Sequence, residues 1–457
     1  MKTHLGTLAL IVIGLSASIN LLTSADWTWI SGGIAALFFT LLEWGSLARV
    51  ARTMVVVLVA MILILSFTLP NAASVLHQAA DRGLYLGLFI LSMGILQATA
   101  ASSPLVHRSG RILVSQKPGR RYAALTFGGA LFGLPLSVGA VGLLGTMIKH
   151  GNEGTDERIA ETRLRRMTVA VLRGVGSVPL WSPTSIAIPV VLLGIPDLSF
   201  LKVLSHSAVL AVLFLGLGWL VDRIGNRGLA RAGTGHAETE LAPLGWFMAL
   251  VASLLVVAIA LAQLLDVSII SANILIAPGA SLLWQYVQQR GHGIRKPMRE
   301  ALDIMLRRIL PSLRNLRSEV TIFMISGALG ILVVPLVDAE ALSAAILPYA
   351  SSSGAALAIA YVFVLVTGIL GLNPIASVTV VIAILTQLDT FDLRDIDIAM
   401  TVLTAWAATV AISPFTSNVR IAANAIGEDP TKVGLRWNVS FVLVVSALFM
   451  VRCLLIR

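Results

Sequence analysis

Ser182-Pro183-Thr184-Ser185 and Ser413-Pro414-Phe415-Thr416-Ser417 set hydroxyl side chains and a proline into two otherwise apolar segments. Proline removes a backbone donor and clashes with the preceding turn, so each segment is expected to break there. Hydrocarbon offers no water to the freed N–H and C=O groups, and irregular backbone survives in it only where protein or a ligand cavity satisfies it. A half-helix that starts at a break carries partial positive charge and suits an anion, whereas freed carbonyls suit a cation. Ser182, Thr184, Ser185, Ser413, Thr416, Ser417 and Asn418 add hydroxyl and amide groups at these points. Two more apolar segments are interrupted at Gly133-Leu134-Pro135 and at Gly371-Leu372-Asn373-Pro374. There Gly133, Pro135, Ser137, Gly371, Asn373, Pro374 and Ser377 play the matching part, as hairpin tips that could bind a coupling ion. The four breaks together would make one polar site near the membrane midplane. The ordinary role for any single Ser or Thr among them is back-bonding to its own helix.

Two arginines, Arg173 and Arg420, lie well inside apolar segments, nine residues before Ser182 and three after Ser417. A guanidinium near mid-bilayer costs from ~2.5 to ~17 kcal/mol, so it needs a partner or a cavity. The interiors of the broken segments and hairpins carry no Asp or Glu to neutralise it. An anionic substrate would, and the guanidinium fork suits a carboxylate. Arg420 borders its motif and is favoured for that task over Arg173. The alternative for either is capping carbonyls or reaching the interface. Proton carriers commonly use an embedded Asp, Glu or His, and only His206, close to the start of a span, is a candidate. Sodium needs only carbonyl and hydroxyl oxygens, so Na⁺ is the expected coupling ion, with no cofactor and no structural metal. No metalloprotease helix, nucleophile elbow, P-loop or dinucleotide-binding glycine pattern is present, which argues against an enzyme. The sequon Asn438-Val439-Ser440 opens a membrane span and is discounted.

The elements that must hold these residues are membrane helices. The chain has 457 residues, of which 57% are hydrophobic and only 12% charged, against roughly 25% charged in soluble domains. An all-α polytopic membrane protein follows. The formal charge of +10 is concentrated between spans: eight Lys/Arg lie between Arg290 and Arg317 and five between Arg108 and Arg121. That pattern marks cytoplasmic loops rather than a nucleic-acid surface. The lone Cys453 excludes an internal disulfide framework. Residues 1–23 read as a retained first helix, not a signal peptide.

About 20 apolar residues cross the hydrocarbon. Spans are expected at 5–23, 27–43, 54–70, 83–101, 199–221, 244–264, 267–289, 318–337 and 436–455, with broken helices at 167–195 and 397–427. Reading 122–148 and 353–387 as re-entrant hairpins, with the N-terminus inside, puts all the basic loops on one side. The acidic stretch Asp389 to Asp397 then falls outside. The order span, hairpin, broken helix, span occurs twice with opposite orientation, which is an inverted-topology repeat. The expected organisation is an N-terminal extra helix (1–26), repeat 1 (27–221), a cytoplasmic loop (222–243) and repeat 2 (244–457), about 11 transmembrane helices in all. Residues 291–317 read as an amphipathic connector on the membrane surface, in contact with lipid.

The run Ile412 to Trp437, with Ser413-Pro414 followed by a Gly427 turn, resembles the C-terminal pattern of citrate permeases and of the large membrane subunit of tripartite ATP-independent periplasmic transporters. Gly371-Leu372-Asn373-Pro374-Ile375-Ala376-Ser377 looks like a hairpin tip of the same ion transporter superfamily. The divalent-anion/sodium symporters of that group carry a Ser-Asn-Thr signature that is absent here. The resemblance implies a homodimer built on a scaffold domain, a mobile transport domain and elevator-type alternating access. The expectation is a secondary transporter of a small organic anion, sodium-coupled, in a bacterial-type inner membrane. The alternatives are the membrane subunit of a tripartite system, which a neighbouring gene for a periplasmic binding protein would decide, and a cation/proton antiporter, which wants a buried carboxylate pair. An intramembrane enzyme would need a nucleophile–base or metal constellation, and a passive channel would not need broken helices in both halves.

Overall fold

The structure is a computed structural model that describes residues 2–152, 157–225, 241–336, 348, 350, 352–388 and 392–455. Among them the regular structure is entirely helical. In chain order the helices are α1 (Lys2–Thr23), α2 (Trp27–Glu43), α3 (Arg49–Thr68), α4 (Ala72–Ala101), α5 (Pro104–Val114), α6 (Pro118–Leu136) and α7 (Gly139–His150). Then follow α8 (Glu157–Gly176), α9 (Val178–Trp181), α10 (Ala187–Gly194), α11 (Phe200–Gly225), α12 (Ala242–Leu265), α13 (Ile269–Gly291) and α14 (Pro297–Ile304). The last are α15 (Arg317–Leu332), α16 (Ser353–Ile369), α17 (Pro374–Leu385), α18 (Asp395–Ile412), α19 (Ser417–Ile426) and α20 (Trp437–Leu455). Among the described residues eight helical stretches are long and apolar enough to cross a membrane. The chain is an all-helical, multi-pass membrane protein.

The expected spans match helices throughout. The differences lie at the ends, where polar residues continue a helix that a hydropathy boundary would stop. Residues 102–121, expected as a loop, hold α5, which buries Val106, Ile112 and Leu113 while its arginines face out. The broken helix expected from 167 begins at Glu157. Residues 226–240 of the 222–243 loop, and 389–391 of the acidic stretch, lie outside the described residues.

The chain divides into two compact units, 1–99 with 254–338, and 100–253 with 339–457. These cut across the repeat boundaries read from the sequence, since each half of the chain supplies part of each unit. In the first unit α4 is closely approached by α15. A Cβ on Gly83 would stand 2.7 Å from the Met324 carbonyl, and one on Gly327 2.6 Å from that of Arg82. Small residues at both positions let the two backbones meet, as membrane helices commonly require. The fully buried Glu43 is held by Arg314 (2.5 Å).

The second unit contains all four interrupted segments. Its most enclosed stretch is residues 395–426, 83% buried over its most apolar window, against 17% for α3 in the first unit. α6 and α8 lie against each other on small residues: a Cβ on Gly129 would meet the Val171 carbonyl at 3.1 Å, and one on Gly174 would collide with the Thr126 carbonyl.

Candidate functional site

The two Ser-Pro breaks are wired alike. α9 ends at Ser182, whose N–H still reaches the Val178 carbonyl (3.0 Å), and α18 ends at Ser413, whose N–H reaches Thr409 (2.9 Å). Past each serine the chain makes a side-chain turn. Ser182 Oγ accepts from the Thr184 N–H and Ser413 Oγ from the Phe415 N–H, both at 3.2 Å. A backbone turn follows, from Ser185 N to Ser182 O (3.0 Å) and from Thr416 N to Ser413 O (3.2 Å). Each break also donates a hydroxyl to the neighbouring hairpin's first helix. Thr184 Oγ1 gives to the Leu134 carbonyl (2.8 Å) and Ser413 Oγ to the Gly368 carbonyl (2.7 Å). Those carbonyls belong to the last turns of α6 and α16, where i+4 donors run out; the Gly368 carbonyl also accepts the Gly371 N–H (3.2 Å).

The tips are built for sharp reversal. Gly371 sits at φ +101°, a conformation that L side chains rarely adopt, and a Cβ there would also meet the Phe415 ring at 3.3 Å. Asn373 caps α17 by accepting from the Ile375 N–H (3.0 Å), with Pro374 in the first turn, where its missing N–H costs nothing. Thr367 and Ser377 share a hydroxyl–hydroxyl bond (2.9 Å) across the second tip. At the first tip Ser137 has positive φ (+48°), a backbone strain of order 1–3 kcal/mol that surrounding structure must hold. Gly133 is pressed against Val178 (2.6 Å from a Cβ), and Pro135 lies within the last turn of α6.

The four breaks close into a ring. The first tip joins the first break through Leu134 and Thr184, and the second tip joins the second break through Gly368 and Ser413. α10, leaving the first break, lies on α17, leaving the second tip: a Cβ at Gly194 would meet Ile382 at 2.7 Å. α19, leaving the second break, lies on α7, leaving the first tip. Cβ atoms at Gly142, Gly145 and Gly427 would meet Ile421 (3.1 Å), Ala425 (2.9 Å) and Lys149 Nζ (3.3 Å) respectively. That order makes α7 and α19 parallel, with their N-terminal ends abreast. Neither end is capped by a side chain. Two positive helix ends therefore sit side by side, and they favour an anion.

Most of the expected site hydroxyls are already committed. Ser182 and Thr184 bond each other (2.7 Å), Ser185 Oγ accepts from the Ala187 N–H (3.3 Å), and Thr416 Oγ1 donates to the Ser413 carbonyl (2.8 Å). Three groups at the start of α19 are not. Ser417 and Arg420 are exposed and have no partner among the described residues. Asn418 is 94% buried (6% exposed), and its Oδ1 accepts no bond.

Arg173 has other work. Buried to 3% exposure, its guanidinium donates to Asn438 Oδ1 (3.0 Å), Tyr122 Oη (2.9 Å) and the Gly218 carbonyl (3.0 Å), and lies 4.5 Å from the Phe441 ring centre. It ties α8 to α6, α11 and α20. The expectation of a substrate-facing Arg173 is corrected on that ground: it is buried and three of its donor bonds go to neutral acceptors of neighbouring helices, which help a buried cation stay satisfied without a carboxylate. Asn438 belongs to this network and donates to the Val433 carbonyl (3.2 Å).

Asp397, at the end of the acidic stretch expected on the outer side, is a buried residue that the sequence does not single out: it is 2% exposed and bound by Arg394 (2.7 Å) and Arg452 (2.5 Å). The three-residue spacing from Arg394 was a legible signal; Arg452 comes from the far end of the chain. At the other end of the broken segment Gly427 (φ +80°) closes α19, with Gly427 and Glu428 N–H groups both on the Ala423 carbonyl. The following turn holds Asp429. Backbone N–H groups of Lys432 and Thr431 keep its carboxyl below the usual range.

No family model matches the chain, and no curated protein matches it. Among solved structures it is similar to the YdaH transporter of Alcanivorax borkumensis, whose crystal structure is described as having an unusual topology. The likeness is at 14% identity and TM-score 0.42, covering 80% of this chain and 84% of that one.

Proposed function

We propose that the protein is a secondary active transporter of a small organic anion of the carboxylate type, coupled to sodium. The observation that carries this reading is the start of α19. An exposed, unpartnered Arg420 and Ser417 and the free amide oxygen of Asn418 stand beside two parallel, uncapped helix ends. Bidentate guanidinium contact and helix-end N–H groups are the usual means of holding a carboxylate. Arg420 and Ser417 take the charged end of the substrate. Oxygens at the tips, with Asn418 Oδ1, are the ligands for Na⁺, which takes carbonyl and hydroxyl donors and needs no titrating acid.

Proton coupling through the protein is disfavoured by the state of its buried acids. Among the described residues Glu43, Asp222 and Asp397 are buried, and each is bound by an arginine. The same observation weighs against a cation/proton antiporter. Alternating access of the elevator kind, a homodimer and a cytoplasmic N-terminus in an inner membrane complete the proposal; the division into two compact units supports the first of these.

Uptake by purified protein in proteoliposomes tests it. A panel of radiolabelled mono- and dicarboxylates is offered under an inward sodium gradient, an inward proton gradient, or none. Accumulation driven by sodium alone is expected. Accumulation of none of the anions under either gradient overturns the reading.

A further inference from the structure

The connector between α13 and α15 carries two apolar stripes, and only one is covered. Ala301, Met305, Ile309 and Leu313, four residues apart, are buried; Leu313 lies against α4, 3.0 Å from where a Gly94 Cβ would stand. The second stripe is offset by one residue. Met298 (46% exposed), Leu302 (42%) and Leu306 (60%) face away from the unit. Back along the chain, Ile294 after the Gly293 turn and Val287 on α13 are exposed apolar residues as well. An exposed leucine stripe in water would be costly at ~25 cal/mol per Å². Next in the chain to a membrane span, it fits the acyl boundary of the bilayer.

Charge selects the kind of lipid. From Arg290 to Arg308 the segment has six Lys/Arg and two Asp/Glu, so six minus two leaves +4. Arg307 is paired with Asp303 (2.5 Å). Arg314 and Arg317 are spent on Glu43 and the Ser46 carbonyl. Arg295, Lys296, Arg299 and Arg308 are exposed and have no acidic partner among the described residues. Three of these four flank the start of the exposed stripe, at headgroup depth if that stripe is immersed. We propose that this connector is an anionic-phospholipid site: Met298, Leu302 and Leu306 enter the acyl boundary, and Arg295, Lys296 and Arg299 hold headgroup phosphates.

The test uses the full chain in nanodiscs of phosphatidylcholine alone or of phosphatidylcholine with phosphatidylglycerol. With the buried Cys453 replaced by Ala, a polarity-sensitive fluorophore is attached at Leu302→Cys or, as control, at Arg308→Cys. The probe at 302 is expected to shift to the blue and to be quenched by lipid spin labels in both membranes, and the probe at 308 to respond much less. Copurifying phosphatidylglycerol, counted by native mass spectrometry, is expected to fall about tenfold in the R295Q/K296Q/R299Q variant, since each basic residue near an anionic surface contributes appreciably. A probe at 302 as wet as that at 308 overturns the immersion. Unchanged phosphatidylglycerol retention in the triple variant overturns the selection. Quenching at 302 that follows protein density in the membrane and not lipid spin label assigns the stripe to a second copy and overturns the proposal.

Discussion

The breaks at Ser182 and Ser413 share their hydrogen-bond wiring almost bond for bond, yet they handle positive charge in opposite ways. At the first, the guanidinium lies upstream: Arg173 is buried and bound to Asn438, Tyr122 and Gly218. The position equivalent to it in the second copy, nine residues before Ser413, is Thr404, which bonds its own helix at the Met400 carbonyl (2.7 Å). At the second break the guanidinium lies downstream and is uncommitted, while the corresponding position in the first is Ile188, fully buried. The same backbone device thus serves two ends. A break whose charge is internally satisfied holds helices together, and one whose charge is unspent is available to a ligand.

Five substitutions test that difference. Arg173→Ala leaves the Asn438 and Tyr122 groups buried without their donor, at a cost of about 3 kcal/mol or more. Loss of monodisperse, folded protein in size-exclusion and thermal-melt assays is expected, and a normal melt would break the comparison. Arg420→Ala is expected to leave the melt within ~0.5 kcal/mol of wild type and to lower carboxylate uptake by about 100-fold, the ~2.7 kcal/mol of a lost charged contact. Arg420→Lys keeps the charge but not the fork and should fall between the two. Thr184→Val removes the hydroxyl donor to the Leu134 carbonyl and should destabilise by about 1–3 kcal/mol. Ser413→Ala leaves the Gly368 carbonyl its Gly371 N–H donor and should cost less, about 0.5–1.5 kcal/mol; equal costs would show that the two breaks are matched in energy as well as in wiring.

The smallest effect belongs to the turn beyond the second break. Asp429 has its pKa held below 3.8 by backbone donors. A depressed carboxyl pKa stabilises the fold at pH above its ordinary value, and that contribution is lost as pH falls through the folded-state value. Asp429→Asn should therefore lower the melting temperature slightly at neutral pH, with the difference from wild type vanishing in strong acid.

Hydropathy and proline placed the apolar helices and the interruptions near residues 133–137, 182–185, 371–374 and 413–417, because lipid leaves the backbone few choices and Pro183, Pro414, Gly371 and Pro374 each forbid continuation of a helix. They failed on α5, where arginine-rich sequence is helical because one face is buried, and on the first turns of α8, where the helix continues into polar sequence ahead of the buried residues that start at Met167. The site was legible as a set of residue types, and several of those residues proved to be occupied. Ser182, Thr184 and Thr416 bond groups within a few residues of themselves or a carbonyl one helix away. Arg173 could not be assigned without Asn438, 265 positions later. Asp397 had a local partner in view but not the Arg452 that accounts for its burial.

What the sequence determined alone is where a helix must stop in an apolar chain, since each stop follows from a missing N–H or a strained φ at one residue. What the tertiary structure decided is which polar groups remain after the neighbours have taken theirs. It also decided that α6 meets α8, α7 meets α19 and α10 meets α17 through close packing at glycines, across distances in the chain that no local rule spans. It left Ser417, Asn418 and Arg420 with bonding capacity to spare.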